Sequence, residues 1–148
     1  MNSHLKLSGF YFFYFALLGV MVPYWSLYLK SFDFDAQTIG TLMALLHLSR
    51  IVAPNLWGWL ADRSGRRVGI VRFGALMTCV VFLAIFWQET ALGIGLVMLG
   101  FSFFWNAVLP QFEVITLNQL GENADRYSRI RLWGSIGFIV TVVGVGAI

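Results

Sequence analysis

The sequence predicts an all-α, polytopic transmembrane helix bundle, and three observations predict it. Of the 148 residues, 59% are hydrophobic and only 11% charged, against a usual charged share of about a quarter. The apolar residues fall in runs of the twenty or so that a bilayer requires. The basic residues cluster at the ends of those runs, where positive charge sits at one membrane face. A soluble domain of this length could not cover such a chain with polar surface. The formal charge of +3 does not point to nucleic acid, because the arginines form no basic patch independent of the apolar runs. Cys79 is alone, so an intramolecular disulfide and a cysteine metal cluster are both excluded.

Residues 7–29 form the first expected span. They are longer than the apolar core of a signal peptide and no Ala-x-Ala site follows. Tyr11, Tyr14, Leu18, Met21, Trp25 and Tyr28 recur at alternating intervals of three and four, so they share one helical face. That face either lines a cavity and stacks on a ring-bearing substrate or packs on other helices, and the pattern leaves both open. Pro23, with Gly19 one turn earlier, is a site for a bend.

The second span is expected over 36–61, after a polar connector in which Asp35 or Thr38 can cap it. His47, Arg50, Pro54 and Trp57 fall on one of its faces, which is expected to turn inward, away from lipid. Arg50 lies twelve residues before Asp62, roughly 18 Å along the helix. That is near mid-membrane, where a guanidinium needs an anion from protein or substrate. For His47 a satisfied packing role is the expectation.

Between the second and third spans stands Gly58-Trp-Leu-Ala-Asp62-Arg63-Ser-Gly65-Arg66-Arg67, with four charges within six residues. Gly58 offers close helix approach and Gly65 a sharp reversal. Asp62 can hold the backbone or a basic residue, and Arg63, Arg66 and Arg67 are placed to snorkel to lipid phosphates. The third span is expected over 68–87, with Arg72 near enough to its start to snorkel. Gln88-Glu89-Thr90 is a minimal turn. The fourth span, 91–118, carries Asn106, Pro110 and Glu113 on one face. After a polar loop, a fifth span, 131–148, opens with Arg131-Leu-Trp-Gly-Ser135. Lys6 and arginines 63, 66, 67, 72, 126, 129 and 131 lie on one side; Lys30, Asp33, Asp35 and Glu89 lie on the other. By the positive-inside rule the amino terminus is cytoplasmic.

The spacing G-x-x-x-D-R-x-G-R-R resembles the signature loop between helices 2 and 3 of the major facilitator superfamily. The resemblance extends to the branch holding lactose permease and the phenylpropionate permeases. It is carried by Pro23-Tyr-Trp25-Ser26, Thr38-Ile39-Gly40, Arg50, Pro110 to Glu113 and Arg131 to Ser135, with Asn106, Arg129 and Gly134 also on matching positions. It implies an incomplete major facilitator fold, the amino-terminal part of a secondary transporter in a bacterial inner membrane. Its implied partners are lipid, a proton and a small solute, an aromatic acid or a sugar. The carboxy-terminal half is expected to be missing, and this piece alone is not expected to transport.

The substrate-binding candidates are Tyr14, Trp25, Arg50, Asn106, Glu113, Arg131 and Phe138. Glu113 and Arg131 are the proton-coupling pair, and Gly58, Asp62, Arg63, Gly65, Arg66 and Arg67 form a gating loop. Phe138 stands where lactose permease has a sugar-stacking tryptophan, which argues against a galactoside. Glu113 replaces the aspartate of the phenylpropionate pattern. A structural Glu113–Arg131 ion pair is the alternative to a coupling role. A drug/proton antiporter and a non-transporting membrane scaffold are the alternative functions. No nucleophile–base set is visible, so no enzyme, cofactor or metal is expected.

Overall fold

The structure is a computed structural model describing residues 2–148. Five helices follow in order: α1 (Asn2–Lys30), α2 (Ala36–Ser64), α3 (Arg67–Leu83), α4 (Ala91–Leu120) and α5 (Tyr127–Gly146). A 3-10 turn, Ala84–Trp87, ends α3, and another, Gly121–Arg126, joins α4 to α5. No strand occurs among the described residues. Helices cover most of each expected span, and the differences lie at the ends. α2 runs three residues further, to Ser64, before Gly65 turns the chain. α5 begins at Tyr127, four residues before the expected 131, because the polar 127–130 segment is already helical and buries Ile130.

Helix boundaries have local chemical causes. Asp35 is the N-cap of α2, its Oδ1 accepting the Thr38 N–H at 3.1 Å. Gly65 stops α2 in the left-handed region at φ 64°, its N–H returned to the Ala61 carbonyl; a Cβ would strain that conformation. Thr90 Oγ1 accepts the Gly93 N–H at 3.1 Å and so opens α4.

Among the described residues, four helical segments are long and apolar enough to cross a membrane: Ser3–Lys30, Ala36–Ser64, Arg67–Trp87 and Ala91–Gly146, with mean hydropathies of 1.7, 1.3, 2.3 and 1.9. The last comprises α4 and α5, which Asn123 interrupts at φ −92°, ψ 35°. Large apolar side chains lie fully outward along every helix, among them Phe13, Ile51, Leu76, Leu96 and Val143. In water such a surface would aggregate, whereas an apolar surrounding such as a bilayer suits it.

The chain divides into two compact units, Met1–Ser31 with Thr116–Ile148, and Phe32–Ile115. In the first, α1 packs on α5 through glycines. A Cβ on Gly137 would strike the Phe12 carbonyl oxygen, one on Gly134 would lie 2.6 Å from the Phe15 ring, and one on Gly19 2.7 Å from the Phe138 carbonyl oxygen. Backbones this close are the usual solution where lipid gives no hydrophobic drive to helix pairing. Tyr24 Oη adds a 2.8 Å bond to the Val142 carbonyl, and Tyr11, fully buried, donates to Thr116 Oγ1 at 3.3 Å.

In the second unit, α2, α3 and α4 share a cluster of Ala53, Trp57, Ala61, Ile70 and Ala107, with Phe103 and Phe104 against it. Gly74 lets α3 meet α4: its Cβ would stand 3.2 Å from Ala107 Cβ and from the Phe104 carbonyl oxygen. Three side-chain bonds join α2 to α4. Ser102 Oγ donates to the Leu46 carbonyl at 2.6 Å, Trp57 Nε1 to the Phe103 carbonyl at 3.1 Å, and Ser49 Oγ to the Leu99 carbonyl at 3.4 Å.

Candidate functional site

The α2–α3 loop is the most fully organised polar site. Arg67, the first residue of α3, donates one guanidinium nitrogen to Asp62 Oδ1 and another to Gln111 Oε1. Asp62 therefore holds a basic residue, one of its two expected options. Arg67 does not snorkel, contrary to expectation, because two acceptors tie it to the last turn of α2 and to α4. Gln111 is 3% exposed, so its carbonyl oxygen meets a charge where water cannot compete. Arg63 and Arg66 do point outward: the Arg63 guanidinium carbon lies 5.5 Å from the Trp59 ring centroid, a cation–π contact. Gly58 does not serve close approach, since an added Cβ would find only Gln111 Nε2, at 3.9 Å. The close contact is made by Gly74 instead.

Gln111 is the residue that sequence reasoning missed. Its signal was available, a lone amide between Pro110 and Phe112 in an apolar helix. It sits off the face shared by Asn106, Pro110 and Glu113, and only the fold brings it to the arginine loop.

The Arg50 face of α2 departs from expectation. Trp57 is buried and Pro54 half-buried, but His47 and Arg50 are exposed. The buried stripe is Leu42, Ser49, Ala53, Trp57 and Ala61, offset from the predicted one. Small residues and a hydroxyl that can reach an α4 carbonyl pack closely, and a guanidinium cannot. Arg50 makes no hydrogen bond or ion pair among the described residues.

Asn106, half-buried on α4, donates its amide to the Ser102 carbonyl at 2.7 Å and to Ser102 Oγ at 3.1 Å. Ser102 in turn is bonded to α2, so Asn106 is positioned by the α2–α4 seam. Glu113, in the same unit, is half-buried. Arg131, in the other unit, is exposed and donates to Tyr127 Oη at 3.1 Å. Tyr14 and Trp25 are buried: Tyr14 stacks on Phe10 at 5.9 Å and Trp25 on Tyr28 at 5.0 Å. Phe138 is half-buried, with its carbonyl against Gly19. No group of three or more His, Cys, Asp or Glu side chains among the described residues could hold a metal ion.

The sequence profile of the MFS_1-like family matches residues 4–148. The chain belongs to this major facilitator family. Among the described residues it has helices long and apolar enough to cross a membrane more than once, and the relatives it matches are named as transporters or a permease. It is 29% identical over 131 residues to the "Probable 3-phenylpropionic acid transporter" of Escherichia coli, covering 88% of this chain and 34% of that protein. It is 29% identical over 148 residues to the "Uncharacterized transporter YwbF" of Bacillus subtilis, covering 99% and 37%. It is 32% identical over 144 residues to the "Maltose permease" of Geobacillus stearothermophilus, covering 93% and 35%. The chain thus spans about a third of the length of these relatives. No solved structure matches it significantly. The matched region contains the Asp62–Arg67 loop, α2 through α5 and all but the first two residues of α1.

Proposed function

We propose that this MFS_1-like chain is the amino-terminal part of a proton-coupled uptake transporter for a small aromatic acid. The single observation that carries the substrate class is Arg50, an exposed guanidinium near the middle of a membrane-crossing helix with no anion among the described residues. A cation at that depth is costly alone, and a substrate carboxylate supplies the missing charge. The likeness to a protein named for 3-phenylpropionic acid supports the same class. Asn106, on the α4 seam, offers a free amide oxygen for a polar group of the substrate.

In this scheme Glu113 and Arg131 handle the proton. These are the carboxyl and the guanidinium that the family resemblance singles out for that role. A sugar-like solute is the second candidate, favoured by the likeness to a maltose permease.

The test uses the full-length transporter in proteoliposomes. Arg50→Lys keeps the charge but loses the planar two-pronged fork. Binding of 3-phenylpropionate is expected to weaken by about tenfold or more, the loss of one charge-assisted hydrogen bond, while maltose binding changes little. Equal losses for both solutes, or unaltered acid binding, would reject Arg50 as the carboxylate site.

A further inference from the structure

The outward face of α3 holds basic groups that the loop network does not use. Arg66 and Arg72 are both exposed, and neither guanidinium has a hydrogen bond or ion pair among the described residues. Arg66 is the N-cap residue just before α3 and Arg72 lies in its second turn, with Gly69 midway between them in the sequence. The space above Gly69 is open: an added Cβ would meet only Arg66 Cβ, at 3.8 Å. The opposite face of α3 carries Ile70, Gly74 and Thr78, all buried. Positions 69, 72, 73, 76 and 80 therefore form an outward stripe, with the N-cap residue Arg66 at its start. Past Arg72 the stripe turns apolar, with Phe73, Leu76 and Val80 each about half exposed, at 47%, 59% and 50%.

We propose that this stripe is a binding site for an anionic phospholipid. The phosphate sits in the gap over Gly69, clamped by Arg66 and Arg72, and an acyl chain lies along Phe73, Leu76 and Val80. The arrangement suits a phosphate because two exposed guanidiniums without a bound partner flank a glycine with open space above it. A free phosphate would leave the apolar half of the stripe uncovered, and a lipid covers both halves. Net charge selects the headgroup. Phosphatidylethanolamine would bring an ammonium against two arginines, and the loop carboxylate that could receive it, Asp62, is already held by Arg67. Phosphatidylglycerol carries no such cation.

The site is distinguishable from the general attraction of a basic membrane face, which depends on charge and not on the open space at Gly69. The experiment is native mass spectrometry of the delipidated full-length protein in detergent, titrated with phosphatidylglycerol or phosphatidylethanolamine. Wild type is expected to retain phosphatidylglycerol preferentially. R66Q/R72Q should weaken that adduct at least about tenfold, given about fivefold per basic residue at an anionic surface. Gly69→Leu should weaken it comparably at unchanged charge, and it should fold normally because the position is exposed and the space is empty. R63Q/R126Q, which removes the same charge elsewhere, should leave the adduct nearly intact. The proposal is overturned if Gly69→Leu binds phosphatidylglycerol as wild type does. It is equally overturned if R63Q/R126Q loses as much as R66Q/R72Q, or if the two lipids bind alike.

Discussion

Removing either acceptor of Arg67 should have unequal effects, and the inequality follows from exposure. The Arg67 side chain is 26% exposed and the Asp62 side chain 69%, whereas Gln111 is 3% exposed. The Asp62–Arg67 pair is thus a largely solvated ion pair, worth about 0.2–1 kcal/mol after screening. The Gln111 bond is a charged donor meeting a buried neutral acceptor, a class worth about 1.5–3 kcal/mol. Gln111→Leu is close in size and avoids a large cavity, so its cost reports mainly the lost bond and the stranded guanidinium. Gln111→Leu should therefore destabilise the α2–α3–α4 unit by about 1.5–3 kcal/mol, and Asp62→Asn by about 1 kcal/mol or less. Denaturant unfolding of the purified protein in detergent measures both. The double mutant then gives their coupling, since both bonds share one guanidinium. If Asp62→Asn costs as much as Gln111→Leu, the buried amide is not the main anchor of Arg67 and the exposure argument fails.

Four further outcomes can be checked. Gly137→Ala should destabilise α1–α5 packing by about 1–3 kcal/mol, the usual cost of overpacking, because its Cβ meets the Phe12 carbonyl. Gly58→Ala, in the signature loop, should be neutral or stabilising by up to about 1 kcal/mol from helix propensity; thermal melts of the two variants decide this. The Asp35 carboxyl, hydrogen-bonded by Thr38, is held below its ordinary value of 3.8. Its capping contribution is present above that value and lost as pH falls through the lowered folded one. Asp35→Asn, which still caps, should remove that acid-side loss, as seen in melting temperature against pH. Finally, single cysteines at Ser64 and Glu89 should label from opposite sides of intact cells, Ser64 from the cytoplasm; labelling of Ser64 from outside would reverse the proposed orientation.

The sequence by itself determined that the chain is helical, membrane-embedded and of the major facilitator type. Apolar run length is compared with a fixed bilayer thickness, and Asp35, Gly65 and Thr90 act through their immediate neighbours, so these features need no tertiary information. The Asp62–Arg67 pair was within reach for the same reason, its members lying five positions apart across one turn. Tertiary structure decided which faces meet. Periodicity placed His47, Arg50, Pro54 and Trp57 on one face of α2 but could not say that the neighbouring stripe of Ser49, Ala53 and Trp57 takes the α4 contact. In a membrane helix nearly every face is apolar, so hydrophobicity does not mark the buried one. What marks it is local fit: small residues where backbones approach, as at Gly74 and Gly137, and hydroxyls or amides that find a carbonyl across the seam. Those depend on what stands opposite, and that is why Gln111, forty-four positions from Arg67, became visible only once α4 lay beside the loop.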